Sequence, residues 1–165
     1  MNRTITAIRA QQRRRDRVSV YLDGSYAFGL QSIIAAELRI GQVLSAEQIA
    51  ELKRRDEAER AFEATLRYLT YRPRSRSEVE QYLAKRQVPA EQARDIVARL
   101  ERLKLVDDAA FAMTWVDNRN RLRPRGRWAL RHELRLKGVN EVNIERAIAD
   151  VDESKGALQV ALRYG

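Results

Sequence analysis

The chain repeats itself, and the repeat limits its fold more than any single motif does. Arg72-Pro73-Arg74-Ser75-Arg76 and Arg123-Pro124-Arg125-Gly126-Arg127 match at four of five positions, 51 residues apart. The same offset pairs Val79 with Leu130, Leu83 with Leu134, Val88 with Val139, Val97 with Ile148 and Leu100 with Val151. Upstream, Phe62 and Leu66 pair with Phe111 and Trp115 at an offset of 49, so the second copy has two extra residues before its Arg-Pro-Arg segment. Apolar residues kept in place around a slipped loop are the mark of a duplicated module.

Each copy reads as three helices. Phe62, Leu66 and Leu69 set an i, i+4, i+7 stripe over residues 58–71, and Pro73 stops that helix. Ser75 and Glu78 have capping-box spacing for a second helix with Val79, Tyr82 and Leu83 inward. Pro89 suits the first turn of a third helix, whose core residues are Ala93, Ile96, Val97, Leu100 and Leu103. The second copy repeats this with Phe111, Trp115 and Leu122, then Leu130 and Leu134, then Ile144, Ile148 and Val151. One narrow apolar stripe does not hold a helix in water; three such helices close a small core. Trp128, beside Arg127 and ahead of Leu130, reads as core or as an exposed anchor, with core the first reading, and His132 reads as an exposed surface residue.

The first 57 residues are of another kind. Thr4–Ile8 is short and β-branched, and Val18, Val20 and Leu22 alternate up to Asp23-Gly24, after which Ser25–Leu30 follows. Asp-Gly between two such runs predicts a type I′ hairpin. Residues 32–39 read as a short helix ended near Gly41, and Ser45 with Gln48 opens another that runs into the charged segment Lys53–Glu57. The expected fold is therefore mainly α: tandem three-helix units in an elongated array behind a small N-terminal α+β module with an antiparallel β-hairpin. The expected divisions are 1–57, 58–106, 107–151 and 152–165, the last being the start of a third unit, with residues 157–162 resembling another first helix.

Composition narrows the chemistry. There is no cysteine and only one histidine, which removes disulfides, thiolate catalysis and His-rich metal sites. Asp107-Asp108 and Asp150, Asp152 and Glu153 lie in equivalent turns, where carboxylates act as helix caps rather than metal ligands. No Gly-rich phosphate loop and no nucleophile–base pair is visible, so no enzyme, cofactor or metal is expected. No apolar run is long enough to span a membrane and no signal-peptide core follows Met1, so a cytoplasmic protein is expected.

The charge points to a polyanion. Lysine plus arginine number 32 against 23 acids, a net charge of +9, and 27 of the 32 are arginine. GC-rich coding accounts for most of the Arg/Lys ratio but not for the excess of base over acid. Arg72, Arg74 and Arg76 correspond to Arg123, Arg125 and Arg127, and Arg119 and Arg121 extend the second group. Residues 119–127 hold five arginines and no acid. Each group precedes a second helix, where free amides also favour anions. One such loop alone reads as a solvated turn; recurrence at one place in both copies makes these the candidate binding residues, with Arg13, Arg14 and Arg15 as a further electrostatic contact.

Three stretches together resemble the RecX family. They are Arg72–Leu83, Leu100–Val116, and Arg123-Pro-Arg-Gly with Leu134-Arg-Leu-Lys-Gly-Val. The resemblance is closest over residues 58–153 and extends to the N-terminal hairpin. It implies a non-catalytic regulator of the RecA recombinase that binds RecA and the groove of the RecA–single-stranded DNA filament. It also implies a role in recombination, repair and the SOS response, with weaker binding to single- or double-stranded DNA. Family members usually complete a third unit, which this sequence does not. A helix-turn-helix binder of particular duplex sites is the alternative, and a purely structural scaffold a third. The third helices speak against the duplex reader, since Glu91, Asp95 and Glu101, and Glu141, Glu145 and Asp150, make a poor major-groove face.

Overall fold

A computed structural model of the chain describes residues 1–152. It divides into two compact units, the first over Met1–Ala64 and the second from Thr65 onward. In the first, β1 (Arg3–Ala10), β2 (Arg17–Leu22), β3 (Ser25–Gln31) and β4 (Val43–Leu44) form an antiparallel sheet in the order β3-β2-β1-β4. Asp23 and Gly24 take φ of 52° and 87°, the two left-handed residues that a type I′ turn requires. Val20 and Leu22 of β2 are buried with Ile5, Phe28, Leu30, Ile34, Leu44 and Leu52.

Two elements differ from expectation. The helix expected over 32–39 is a single turn, α1 (Ser32–Ala35). Beyond it the backbone is taken by β1: the Gly41 amide donates to the Ile5 carbonyl at 2.8 Å, and the Ile5 amide to the Gln42 carbonyl at 2.9 Å. Those bonds lead the chain into β4, a two-residue strand too short to leave a periodic pattern. Pairing with a distant strand thus outweighs local helix propensity.

The Ser45–Gln48 capping box is present, with bonds of 3.1 and 2.8 Å, and opens α2 (Ala46–Tyr71). The division drawn at residue 57 falls inside this unbroken helix, and the compact units part further along it, between Ala64 and Thr65. The charged run 53–57 does not break the helix. Within it Asp56 is buried, accepting both Arg17 terminal nitrogens at 3.1–3.2 Å and the Gln31 amide at 2.9 Å. A run that looks solvated thus pins α2 to the sheet of its own unit.

The second unit contains the end of α2 and α3 (Arg76–Lys85), α4 (Ala90–Arg102), α5 (Asp108–Leu122), α6 (Arg127–Leu136) and α7 (Glu141–Ile148). Ser75 and Glu78 form the expected capping box, and Asp107 caps α5 through the Ala110 amide. Pro89 stands one position earlier than expected, as the N-cap of α4. Val79, Leu83, Ile96, Val97 and Leu100 are buried in the first repeat. In the second, Phe111, Val116, Leu130, Leu134, Ile144, Ile148 and Val151 share one cluster, with Trp115 packed against it.

Three residues read as core are exposed: Leu103 (55%), Leu122 (82%) and Trp128 (77%). Leu103 caps the end of α4 and Leu122 is the last residue of α5, so the apolar stripe was extended past the point where the helix can bury it. Trp128 lies in the first turn of α6, on the side away from Leu130 and Leu134. His132 is exposed, as expected. The third-unit segment expected at 157–162 lies outside the described residues.

The two repeats meet through backbone contacts. Ser75 Oγ donates to the Lys137 carbonyl at 2.6 Å, and the Arg76 amide donates to Asp108 at 2.8 Å. Gly138, at φ 78°, sits so close to α3 that a Cβ there would meet the Ser77 Cβ at 2.3 Å. The equivalent residue of the first repeat is Gln87, also left-handed at φ 61°. Both follow the same helix of their repeat, but only the second carries a close approach that demands glycine.

Candidate anion-binding segments

In the first segment the arginines are taken up internally. Arg72 forms a paired contact with the Glu78 carboxylate and also donates to the Pro73 carbonyl at 2.9 Å. Arg74 lies 3.8 Å from the same carboxylate, and its guanidinium covers the Tyr68 ring at 4.0 Å. Tyr68 in turn stacks on Tyr82 at 4.2 Å, and the Arg86 guanidinium lies over the Tyr82 ring at 5.6 Å. Only 15% of the Arg74 side chain is exposed. Arg76 is held by Glu80 at 2.8 Å and Glu101 at 3.3 Å.

Glu78 is the centre of this arrangement, since Lys137 of the second repeat also reaches it, at 3.6 Å. Burial by itself would push the Glu78 carboxyl up. The Arg72 hydrogen bond, the Ser75 amide and the Lys137 charge outweigh that and hold it below the ordinary carboxylate range. Asp108 goes the other way: burial raises it, aided by Glu101 and Asp107, despite the Arg76 amide bond. Sequence reasoning saw Glu78 only as a cap. Its i, i+4 spacing from Arg74 was the available signal.

The second segment is more open. Arg119 pairs with Glu133 at 3.2 Å and covers Trp115 at 4.8 Å, while the Trp115 Nε1 donates to Glu133 at 2.8 Å. Arg125 is only loosely placed on Glu133, at 3.9 Å, and Arg127 donates to the Ala149 carbonyl at 3.2 Å. Arg121 and Arg123 are exposed, and among the described residues neither has an ion pair. Trp115, Asn118, Arg119, Leu122 and Arg123 line a shallow hollow of about 280 Å³. Trp128 stands in the following turn, its ring parallel to His132 with planes 6° apart and centroids 5.9 Å apart.

Arg13, Arg14 and Arg15 lie in the exposed turn between β1 and β2, in the other compact unit. Of the eleven arginines singled out from sequence, then, Arg72, Arg74, Arg76 and Arg119 are committed to carboxylates, and Arg121, Arg123 and the Arg13–Arg15 turn face solvent. Among the described residues no three His, Asp or Glu side chains converge as metal ligands, and no helix is long and apolar enough to cross a membrane. Trp128 follows the second of its two sequence readings, exposed rather than core. Its place opposite the polar Ser77 at the 51-residue offset was the sign that the position does not face a core.

Comparison with known proteins gives a consistent series of matches. Residues 3–45 match the family model described as the regulatory protein RecX N-terminal domain. Residues 61–100 match the RecX first three-helix domain, and residues 107–148 the RecX second three-helix domain. The regulatory protein RecX of Bacillus pumilus is 34% identical over 147 residues, covering 88% of this chain and 56% of that protein. That of Lactobacillus delbrueckii subsp. bulgaricus is 36% identical over 155 residues, covering 93% and 57%. That of Lacticaseibacillus paracasei is 31% identical over 163 residues, covering 98% and 67%. A crystal structure of a regulatory protein RecX superposes with a TM-score of 0.85 at 30% identity, over 98% of this chain and 84% of that one. The chain thus spans a little over half the length of the first two of these relatives.

Proposed function

The chain belongs to the RecX family of regulatory proteins, which implies regulation of RecA, and on that premise we propose that it is a non-enzymatic inhibitor of the RecA recombinase. It binds RecA and the RecA–single-stranded DNA filament in the cytoplasm, and so modulates recombination and repair. The observation that carries this reading is the unbroken succession of an N-terminal RecX domain and both three-helix domains in one chain. A preference for one filament state over another is all that the mechanism requires.

The open arginines of the second repeat, Arg121 and Arg123, supply the first electrostatic contact, with Arg13–Arg15 as a second. The closed set around Glu78 holds the repeats in register. Against a reader of duplex sequence stands the third helix of the second repeat: α7 carries Glu141 and Glu145, paired with Arg135 and Arg131 of α6, a mixed-charge face where a recognition helix would be basic.

The test is the single-stranded-DNA-dependent ATPase of RecA, followed with increasing amounts of the full chain. Inhibition is expected, and it is weakened by R121A/R123A. No effect on ATPase or strand exchange at any ratio of chain to RecA would refute the reading. Unchanged inhibition by R121A/R123A would move the contact away from this segment.

A further inference from the structure

We propose that the groove between β3 and α2 in the N-terminal unit docks an extended acidic peptide of a partner protein, whose backbone pairs with Gly29 while its carboxylates meet Lys53 and Arg60. The proposal goes beyond the functional reading above and does not rest on it.

The free edge of the sheet supplies one half of the site. β3 is the outermost strand, with β2 on its inner side. The Ser32 amide donates to the Asp16 carbonyl at 2.7 Å, which continues the β2–β3 ladder and makes Val18 and Leu30 its hydrogen-bonded pair. Gly29 and Gln31, on either side of Leu30, therefore turn their amides and carbonyls away from β2. The Gln31 amide is taken by Asp56 at 2.9 Å. Gly29 has no such partner among the described residues, so one donor and one acceptor stand open beside α2.

The helix supplies the other half. Lys53, Asp56, Glu57 and Arg60 follow at helical spacing on one face of α2, and that face and β3 enclose a hollow of about 410 Å³. Asp56 is already neutralised, since both its oxygens are held by Arg17. Arg17 reaches it across Gly29, where a Cβ would stand 3.4 Å from the guanidinium. Lys53 and Arg60 are exposed, and among the described residues neither has an ion pair; Lys53 only lies over the Phe28 ring at 5.5 Å. Against the exposed Glu57 they leave an excess of positive charge.

Addition of a strand to a free edge takes its affinity from main-chain bonds and its selectivity from the side chains that line the groove. A peptide backbone brings a carbonyl for the Gly29 amide and an amide for the Gly29 carbonyl. A DNA backbone brings acceptors only, so it leaves the Gly29 carbonyl unmet, and its phosphates also face Glu57. The open cations select carboxylates on the peptide.

The full chain, labelled with ¹⁵N, is titrated with a peptide of alternating glutamate and valine, with the same peptide N-methylated at every residue, and with oligo(dT). The Gly29 amide resonance is expected to shift with the acidic peptide and its hydrogen exchange to slow. K53A/R60A should weaken the peptide roughly 3- to 30-fold, the range for two exposed ion pairs, and E57Q should tighten it up to about 5-fold. The N-methylated peptide, which cannot donate to Gly29, should bind more weakly. An unmoved Gly29 resonance at millimolar peptide would overturn the proposal, as would equal binding of the N-methylated peptide or K53A/R60A without effect. A loss of oligo(dT) binding in K53A/R60A as large as the peptide's would also overturn it, in favour of a nucleic-acid groove.

Discussion

The two Arg-Pro-Arg segments differ at a single residue of five, Ser75 against Gly126, yet their charges end in different places. In the first, Arg72 and Arg74 close on Glu78, and the Ser75 hydroxyl reaches the second repeat. In the second, Ala129 stands where Glu78 would fall, Gly126 has no hydroxyl to offer, and Arg121 and Arg123 stay in water. Duplication copied the cations, but the first copy closes Arg72 and Arg74 on Glu78, whereas in the second Glu133 takes Arg119 and, loosely, Arg125 and leaves Arg123 without an ion pair among the described residues. A recurring charged loop can thus be mortar in one repeat and an exposed contact in the next.

The sharpest way to break this comparison is at the junction that the closed loop supports. G138A should cost about 2–4 kcal/mol, combining left-handed strain with the overlap against Ser77. The equivalent Q87G should be neutral or stabilising by about 0.5–1 kcal/mol, since Gln87 already bears the strain of a left-handed conformation without a close neighbour. Urea denaturation of both variants checks the contrast.

Next in size is the hub itself. E78A strands Arg72, Arg74 and Lys137 around a largely buried position, and a loss of about 2–3 kcal/mol is expected. E133A removes one close ion pair, to Arg119, and the acceptor of the Trp115 Nε1, against three cations around Glu78, and should lose about 1 kcal/mol. If both cost the same, the distinction between closed and open loops fails.

The arginines then separate stability from binding. R72A/R74A should lower stability by about 1–2 kcal/mol, through the lost contact with Tyr68 and the unbalanced Glu78. R121A/R123A should change stability by less than about 0.5 kcal/mol. On a single strand, however, it should reduce the slope of log affinity against log salt by about 1.4, while R72A/R74A leaves the slope nearly unchanged.

The smallest effect is a pH dependence. Because the folded state holds the Glu78 carboxyl below its unfolded value, it binds fewer protons there than the unfolded chain does. That stabilisation is complete above the ordinary carboxylate range and fades as pH falls through the depressed folded value. Asp108, raised in the fold, works in the opposite sense and offsets part of the loss. E78Q should therefore show a flatter decline of melting temperature on acidification than the unaltered chain.

Much of the architecture was legible because it is written in neighbours. The capping boxes at Ser45–Gln48 and Ser75–Glu78, the Asp23-Gly24 turn and the buried stripes of both repeats each rest on residues a few positions apart. The departures have one cause. α1 stops early and β4 exists because β1, far back in the chain, takes their backbone groups. Asp56 lies in a charged run yet is buried, because Arg17 comes from a strand 39 residues away to meet it.

The candidate site divides in the same way. That arginines recur in both repeats follows from sequence alone, as does the exclusion of thiol and His-rich metal chemistry, because counts and periods belong to the chain. Which arginines remain available was decided by the tertiary structure. The carboxylates that neutralise them, and the turn that makes Gly138 indispensable while Gln87 is tolerated, come into place only when helices distant in sequence pack. Helical periodicity depends on spacings of three and four residues, whereas an ion pair depends on a separation within 4 Å that only packing sets.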